Sequence, residues 1–578
     1  GVGGILRLSP DGGHLEVIAR GFRNPCGLVF DSQWNLFSND NDHESIPSEY
    51  VPGRLLYVPP LADYSWPRGW LPEKHTWRAE LLDTLNPNLG RFVPAAQGFY
   101  ADTFLPASLR QNLFVADWGR GVVARYPLRA AGAGFKADEL PFLICTNKVR
   151  PVGIAVGRGG RIFVATLRMA ANEASPVARS DIVMITRADD SPSAPFEAYA
   201  ETKADETKLV SELANPSWQR RYRAHLELVR RIGSADKPRL KSIPPDAHGI
   251  WLAAASGQYG WVVGLAASPD ANIRLQAVRA LTRFGNSPTN YDVFVHALAD
   301  EAAPVVHAGL IGLYLRFEKF PTATVCALAS SPDSFIRQAA CQLLAAKSSL
   351  VELQALADSS AASNRLAAVV ALGMRLTVPS ATVPFPEDVP LDVSTFNPKP
   401  QYDGGAIDLR ELGRIGAFTM AAYWGKKDKS VEEQKMFNSL ARRLNDADDR
   451  VARQAAFYLR PLADARTDAV AARLLRITNA PVVQPIKSAF PATATELPVQ
   501  YRNTDWAAEA ARGSPDHGRI LFEKLGCIKC HAASDGAAGG GGPSLANAGS
   551  RFAVAYLAES ILVPSKEVSP SFRGTELT

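Results

Sequence analysis

The chain of 578 residues is too long for one core, and at ordinary domain sizes it divides into three or four folding units. Its 46% hydrophobic and 21% charged content excludes a predominantly disordered chain. The net charge of +5 is dispersed, with no run of Lys and Arg that would mark a nucleic-acid or lipid surface, and no segment approaches the roughly eighteen consecutive apolar residues of a membrane span.

From Gly1 to about Ala188 short β-branched runs alternate with Gly, Pro, Asn and Asp. Strands are predicted at Ile5–Leu8, Gly27–Phe30, Leu55–Val58, Asn112–Ala116, Val122–Tyr126, Gly153–Val156, Arg161–Ala165 and Ile182–Thr186. Glycines at Ser9–Gly13 and Gly157–Gly160 supply the positive φ of tight hairpins. Hairpins at such intervals predict a β-propeller. At roughly 40–50 residues per blade, residues 1–188 hold about four, so a partial propeller with further blades upstream of Gly1 is expected.

A linker over 189–206 leads into helices rich in Ala, Leu and Arg over 207–376. A Pro-rich interruption at 377–403 separates these from further helices over 404–485. One phrase recurs, with Arg five residues after a Pro or Asp: Pro216 to Arg221, Pro269 to Arg274, Pro332 to Arg337 and Asp448 to Arg453, with weaker copies at Ala303–Leu310 and Ser363–Leu372. The Pro or Asp is predicted to cap a helix, Ala pairs such as Ala339–Ala340 allow close packing, and the Arg faces a neighbouring loop. The pattern resembles HEAT-type repeats, an all-α solenoid serving either as a concave binding surface or as a rigid spacer.

After a linker at 486–510, the segment 511–578 contains Gly526-Cys527-Ile528-Lys529-Cys530-His531. This is the CxxCH signature of c-type haem attachment, in which two thiols a helical turn apart bond the porphyrin and the adjacent His ligates iron. A zinc site would need a further ligand pair, and only His517 is near. The other cysteines, Cys26, Cys145, Cys326 and Cys341, either pair or stay as buried thiols.

Gly541-Gly542-Pro543-Ser544-Leu545 resembles the GPxL segment of small cytochromes c, and Tyr556–Lys566 reads as a helix closed before Pro564. Together these resemble the haem-binding domain of large secreted planctomycete and verrucomicrobial proteins. That resemblance implies a small all-α cytochrome c domain, with thioethers at Cys527 and Cys530, His531 as proximal ligand, Pro543 orienting His531, and Leu545 packing on the haem. It also implies a distal Met. The last Met is Met436, so the domain is expected to be truncated.

In the β region, Gly21-Phe22-Arg23-Asn24-Pro25-Cys26-Gly27-Leu28 resembles the RNPxGL strand of soluble quinoprotein sugar dehydrogenases, and Asp63-Tyr64-Ser65-Trp66-Pro67 resembles their NYGWP turn. Asn112–Gly121 matches a blade strand and turn, and Asn147–Val152 sits where that family has two basic residues one apart. The resemblance implies that Arg23, Asn24, Lys148 and Arg150 contact pyrroloquinoline quinone or its substrate, with Arg23 as a catalytic contact. It further implies a general-base His upstream of Gly1, while the family's turn Lys falls on Gly119. Guanidinium and ammonium groups suit a cofactor with three carboxylates. Asn39–Glu44 offers oxygen ligands for Ca²⁺.

The expected protein is multidomain: partial propeller, helical repeats, partial cytochrome. It is expected to oxidise a sugar or alcohol, pass electrons to its own haem and then to an external acceptor, and bind no nucleic acid. Thioether attachment places it in the periplasm or outside the cell. The alternative is a non-catalytic propeller, binding carbohydrate or protein, fused to a redox-active haem domain.

Overall fold

The computed structural model describes residues 3–8, 15–41, 53–66, 78–86, 89, 92–146, 148–169, 176–190, 200–233, 243–285, 290–377, 431–459, 497, 499–529, 531, 533, 545 and 548–563. The turn at 9–13, residues 42–44, the Pro-rich segment, Asn147, Cys530 and Pro543 lie outside them.

Sheets come first and helices after, as the change of texture along the chain predicts. β1 (Gly3–Leu8) and β2 (Leu15–Phe22) form a hairpin. Three antiparallel meanders follow. The first joins β3 (Val29–Phe30), β4 (Leu36–Asp40) and β5 (Arg54–Tyr57). The second joins β6 (Pro94–Tyr100), β7 (Asn112–Asp117), β8 (Val122–Pro127) and β11 (Leu140–Ile144), with the small hairpin β9 (Arg129–Ala131) and β10 (Gly134–Lys136) inserted. The third joins β12 (Val149–Val156), β13 (Ile162–Met169) and β14 (Pro176–Ile185). Its first turn carries Gly159 at φ 80° and Gly160 at φ 78°, the left-handed conformations that need glycine.

The opening strand of each meander lies against the opening strand of the next, β3 on β6 and β6 on β12. Gln97 of β6 fastens the first junction: its amide donates to Phe37 O at 2.6 Å and Gly27 O at 3.2 Å, and it accepts from Asn39 Nδ2 at 2.9 Å. The meanders are arranged in series, and no closed ring is formed by the described strands.

The helices run as α1 (Glu206–Glu212), α2 (Trp218–Ile232), α3 (Ala247–Ala255), α4 (Tyr259–Leu265), α5 (Ala271–Phe284), α6 (Tyr291–Ala297) and α7 (Ala303–Arg316). They continue as α8 (Thr322–Leu328), α9 (Ser334–Lys347), α10 (Leu350–Ala357), α11 (Ala362–Thr377), α12 (Val431–Arg442) and α13 (Asp449–Leu459). Each long helix packs on the next, α5 on α7, α7 on α9, α9 on α11 and α11 on α13, and each short helix packs on the long one that follows it, α4 on α5, α6 on α7, α8 on α9 and α10 on α11.

The recurring Arg has a consistent role. Arg274 Nη1 donates to the carbonyls of Ser268 and Pro269 at 2.9 and 3.1 Å, while its other nitrogens grip Asp300 ahead of the next helix at 2.7 and 2.8 Å. Arg365, within a weaker copy, does the same with Ser359 O, Ser360 O and Asp446. Helix caps are made by the residue after the Pro: Asp270 and Asp333 each accept two backbone amides. Arg453 departs from the pattern and pairs with Asp449 on its own helix.

The expectation of a helical spacer is corrected by the contacts. Glutamines just after the recurring Arg reach into the β region and clasp its main chain. Gln338 donates to Asp63 O and Glu80 O and accepts from Asp63 N; Gln342 donates to Leu61 O; Gln454 accepts from Ala79 N. Gln276 donates to Gln33 O at 3.0 Å. Around them one apolar core runs from Phe22, Phe37 and Tyr57 of the sheets to Leu310, Phe335 and Leu343 of the helices, with the Tyr57 ring 5.5 Å from that of Phe335. A helix face buried this way is unavailable to another partner over that stretch.

Close helix approach depends on small residues. A Cβ at Gly312 of α7 would collide with the ring of Phe294, a fully buried side chain of α6. Gly312→Ala is expected to destabilise the chain by about 1–3 kcal/mol, read as a lower urea midpoint with an unchanged slope. An unchanged midpoint would show that Phe294 moves aside freely.

Candidate functional site

The CxxCH segment follows two short helices, α14 (Trp506–Arg512) and α15 (Pro515–Lys524). Asp505 caps the first through the amides of Ala507 and Ala508, and Ser514 caps the second, with Pro515 in the first turn. Gly526, at φ 78°, ends α15 and turns the chain into a 3₁₀ turn over Cys527–Lys529. The His531 amide then donates to Cys527 O at 2.9 Å, so Cys527 and His531 stand one helical turn apart. α16 (Ala548–Arg551) and α17 (Val554–Leu562) follow, and α17 packs against α14. The predicted helix over Tyr556–Lys566 is observed to Leu562.

No residue of α14, α15 or α17 is buried. On either side of the motif in sequence, Ile520, Leu525, Ile528 and Leu545 keep 56%, 73%, 49% and 37% of their surfaces exposed. Open apolar side chains close in sequence to two ligand-type residues are what a large apolar group would cover. Cys527 is a half-buried free thiol, and His517, the neighbour weighed for zinc, is exposed. Among the described residues no cluster of three or more His, Cys, Asp or Glu is placed to hold a metal ion.

In the β region the structure joins two motifs that are far apart in sequence. Arg23 lies over the ring of Trp66, 5.9 Å from its centroid, and donates to Asn41 Oδ1. Trp66 N donates to Gly21 O at 3.1 Å, and Arg20 pairs with Asp63 at 3.0 Å. The loop is held from beneath by Asp40, fully buried, which accepts the amides of Arg23 at 3.2 Å and Asn24 at 3.0 Å and pairs with Arg54. Arg54 in turn donates to Tyr64 O at 2.7 Å and Gly21 O at 3.0 Å.

These contacts correct the calcium expectation at its centre. Asp40 is engaged by a guanidinium and two amides, and Asn39 by Cys26 O and Gln97, which leaves neither turned toward a cation. Asp42 and Glu44 lie outside the described residues.

Lys148 and Arg150 stand at the entrance to β12, two sheets from Arg23. Lys148 adopts φ 60°, and its carbonyl accepts from Met169 N at 2.9 Å. Arg150 is 6% exposed, donates to Val149 O at 3.2 Å and packs on Gly121 in the β7–β8 turn. Arg23 and Asn24 precede β3 and Lys148 precedes β12, of which Arg150 is the second residue, so each of the four stands at the start of a meander. Arg54 escaped the sequence reading, although an Arg opening an apolar strand opposite an Asp was a signal for a buried ion pair.

A second constellation was missed altogether. Trp34, at φ 63°, packs against Trp218 and His248, with ring centroids 5.4 and 5.3 Å away, and against His225 at 5.0 Å. Burial lowers His225 to about 4; burial, then His225 and Arg221, lower His248 to about 3. His307, on α7, is lowered to about 3 by burial and then Arg279. The four other cysteines are free thiols, Cys326 and Cys341 buried, and burial pushes Cys341 up to about 12.

No protein-family model matches the chain, and no curated protein sequence does. Among solved structures it is similar to an oxidoreductase of glucose dehydrogenase type from Thermus thermophilus, at 20% identity over 29% of this chain and 46% of that one, with a TM-score of 0.23. It is also similar to the PQQ-bound aldose sugar dehydrogenase from Streptomyces coelicolor, at 19% identity over 32% of this chain and 51% of that one, TM-score 0.23. The chain spans about half the length of these two enzymes. A designed armadillo repeat protein in complex with a (KR)4 peptide matches at 14% identity, covering 45% of this chain and 100% of that one, TM-score 0.15.

Proposed function

We propose that the chain is a haem c electron-transfer protein whose β region is a quinoprotein-like propeller, oxidising a sugar or alcohol and delivering electrons through the haem to an external acceptor. The observation that carries the haem reading is the Cys527-x-x-Cys530-His531 string, with Cys527 and His531 a helical turn apart among exposed apolar side chains. In this reading Cys527 and Cys530 hold the porphyrin, the His531 imidazole holds iron, Pro543 O orients that imidazole, and Leu545 with Ile520 and Leu525 excludes water from one face. Bound haem supplies one-electron chemistry. Such attachment is made outside the bacterial cytoplasm, which supports a periplasmic or secreted location.

For the quinone, Arg23, Asn24, Lys148 and Arg150 offer suitable donors, each placed at or just before the first strand of a meander. Arg23 would bind and orient a carboxylate while stacked on Trp66. A second reading is favoured by one observation: Arg23 and Arg150 already hold Asn41, Trp66 and Val149 O, as structural arginines do. On that reading the β region binds without catalysing.

Matured in a host that attaches haem c, the chain is expected to show a Soret band and a covalent mass increment of one haem. Both should vanish in Cys527→Ala/Cys530→Ala, and wild-type chain without either would overturn the haem reading. Dye reduction with a panel of sugars, after addition of pyrroloquinoline quinone and Ca²⁺, separates the two readings of the β region. A tight quinone complex lost in Arg23→Ala supports the dehydrogenase, and absence of quinone binding supports the binding module.

A further inference from the structure

The first hairpin and the meander beside it do not close onto the helices everywhere. Between β1, β2 and β3 on one side and α2, α5 and α7 on the other lies a cleft of about 910 Å³, within the usual size of ligand sites. Its walls are mostly aliphatic and aromatic. Leu6, Leu8, Leu28 and Phe30 keep 52%, 47%, 51% and 47% of their surfaces open, although leucines and phenylalanines of a sheet normally bury theirs.

Charge on these walls is one-sided. Arg7, Arg279, Arg283 and Arg316 line the cleft, and Glu16 is the sole acid among its lining residues. Glu16 pairs with both Arg7 and Arg283, the latter at 2.9 Å. Arg279 is committed to Asn35 and Tyr57, and Arg316 donates to the main-chain carbonyls of Thr282 and Arg283, which sets its guanidinium at the end of α5 that carries Arg283. Arg7 is held below the usual arginine range by burial first and by Arg283 next, with Arg316 adding to it and Glu16 opposing. An incoming anion relieves that repulsion, and an apolar body covers the open side chains; a sugar would meet few polar partners on such walls.

We propose that this cleft binds a long-chain carboxylate, its head on Arg7, Arg283 and Arg316 and its alkyl chain along Leu8, Phe30 and Leu315. The inference is independent of the haem and quinone readings.

Calorimetric titration of the 578-residue chain with dodecanoate, dodecanol, dodecyltrimethylammonium and inorganic phosphate, all below micelle formation, tests it. Dodecanoate is expected to bind at least about tenfold more tightly than dodecanol, with the cation weakest and phosphate alone weak. Arg283→Glu, at a partly exposed helix position, is expected to weaken dodecanoate about tenfold and leave dodecanol unchanged, with an unaltered circular dichroism melt. Leu315→Trp, which fills the cleft, is expected to weaken both. Equal affinity for all three alkyl ligands overturns the proposal, as does phosphate binding as tight as dodecanoate. So does a chain that self-associates in sedimentation and takes up no amphiphile, since the cleft is then an interface between copies.

Discussion

The chain is expected to lose resistance to urea steeply as the pH falls from about 6.5 toward 4. Three buried imidazoles cause this. His225 is lowered to about 4, and His248 and His307 to about 3, burial being the first cause at each. Above about pH 6.5 neither folded nor unfolded chain protonates them. Below it the unfolded chain takes up three protons that the folded chain refuses until its own lowered values are reached, so stability falls with pH throughout that window. At about pH 5 each site costs about 2 kcal/mol and the three together about 6, comparable with the whole stability of an ordinary domain.

Asp31 and Asp246 act the other way: burial raises both, so as the pH falls the folded chain binds their protons before the unfolded chain does and offsets part of the loss. The imidazole share is therefore read by comparing urea midpoints of wild type and histidine variants near pH 7 and pH 5. His248→Phe keeps the aromatic packing on Trp34 and Trp218 and should flatten the dependence by about one proton. A midpoint that stays put between those two pH values would mean the imidazoles are hydrated.

Asp40→Ala is expected to cost about 3–5 kcal/mol, because it leaves the buried Arg54 guanidinium without its counter-charge and strips the Arg23 and Asn24 amides of their acceptor. Asp40→Asn keeps an acceptor and is expected to cost less. Asp40→Leu/Arg54→Leu, which removes both charges, should recover much of the loss, since a buried pair is stabilising mainly against the removal of one partner. The loop carrying Arg23 is organised by Asp40, so the single variant also tests whether anything that binds Arg23 depends on it. A loss below about 1 kcal/mol would show that water reaches Arg54.

Much of this architecture is legible in the residues. The predicted strands at Ile5–Leu8, Asn112–Ala116, Val122–Tyr126 and Arg161–Ala165 fall within or largely overlap β1, β7, β8 and β13; β13 alternates buried and half-buried residues, whereas β7 is a short apolar run buried on both faces. β6 escaped: Pro94-Ala-Ala-Gln-Gly-Phe-Tyr100 has little strand propensity, and Gln97 and the neighbouring strands keep it extended. Gly27–Phe30 was largely overread, since only Val29 and Phe30 pair.

Among the helices, the period of the Arg phrase announced the stacking, yet nothing local announced what the glutamines after it would hold. That depends on contacts more than 240 residues apart in the chain, such as Gln338 with Asp63. For the candidate sites, the CxxCH string is local and legible in the residues themselves. The Trp34, His225 and His248 cluster draws on two regions of opposite texture and was not.

The glutamine clasp has a consequence for how the protein tolerates change. Gln338, Gln342 and Gln454 address the amides of Asp63 and Ala79 and the carbonyls of Leu61, Asp63 and Glu80, main-chain groups that every amino acid shares, proline's missing N–H apart. At those four positions the clasp constrains the backbone while the side chains answer to other partners, so the local main-chain path and the three carboxamides are inherited together, and proline at 63 or 79 is the substitution the lineage should avoid.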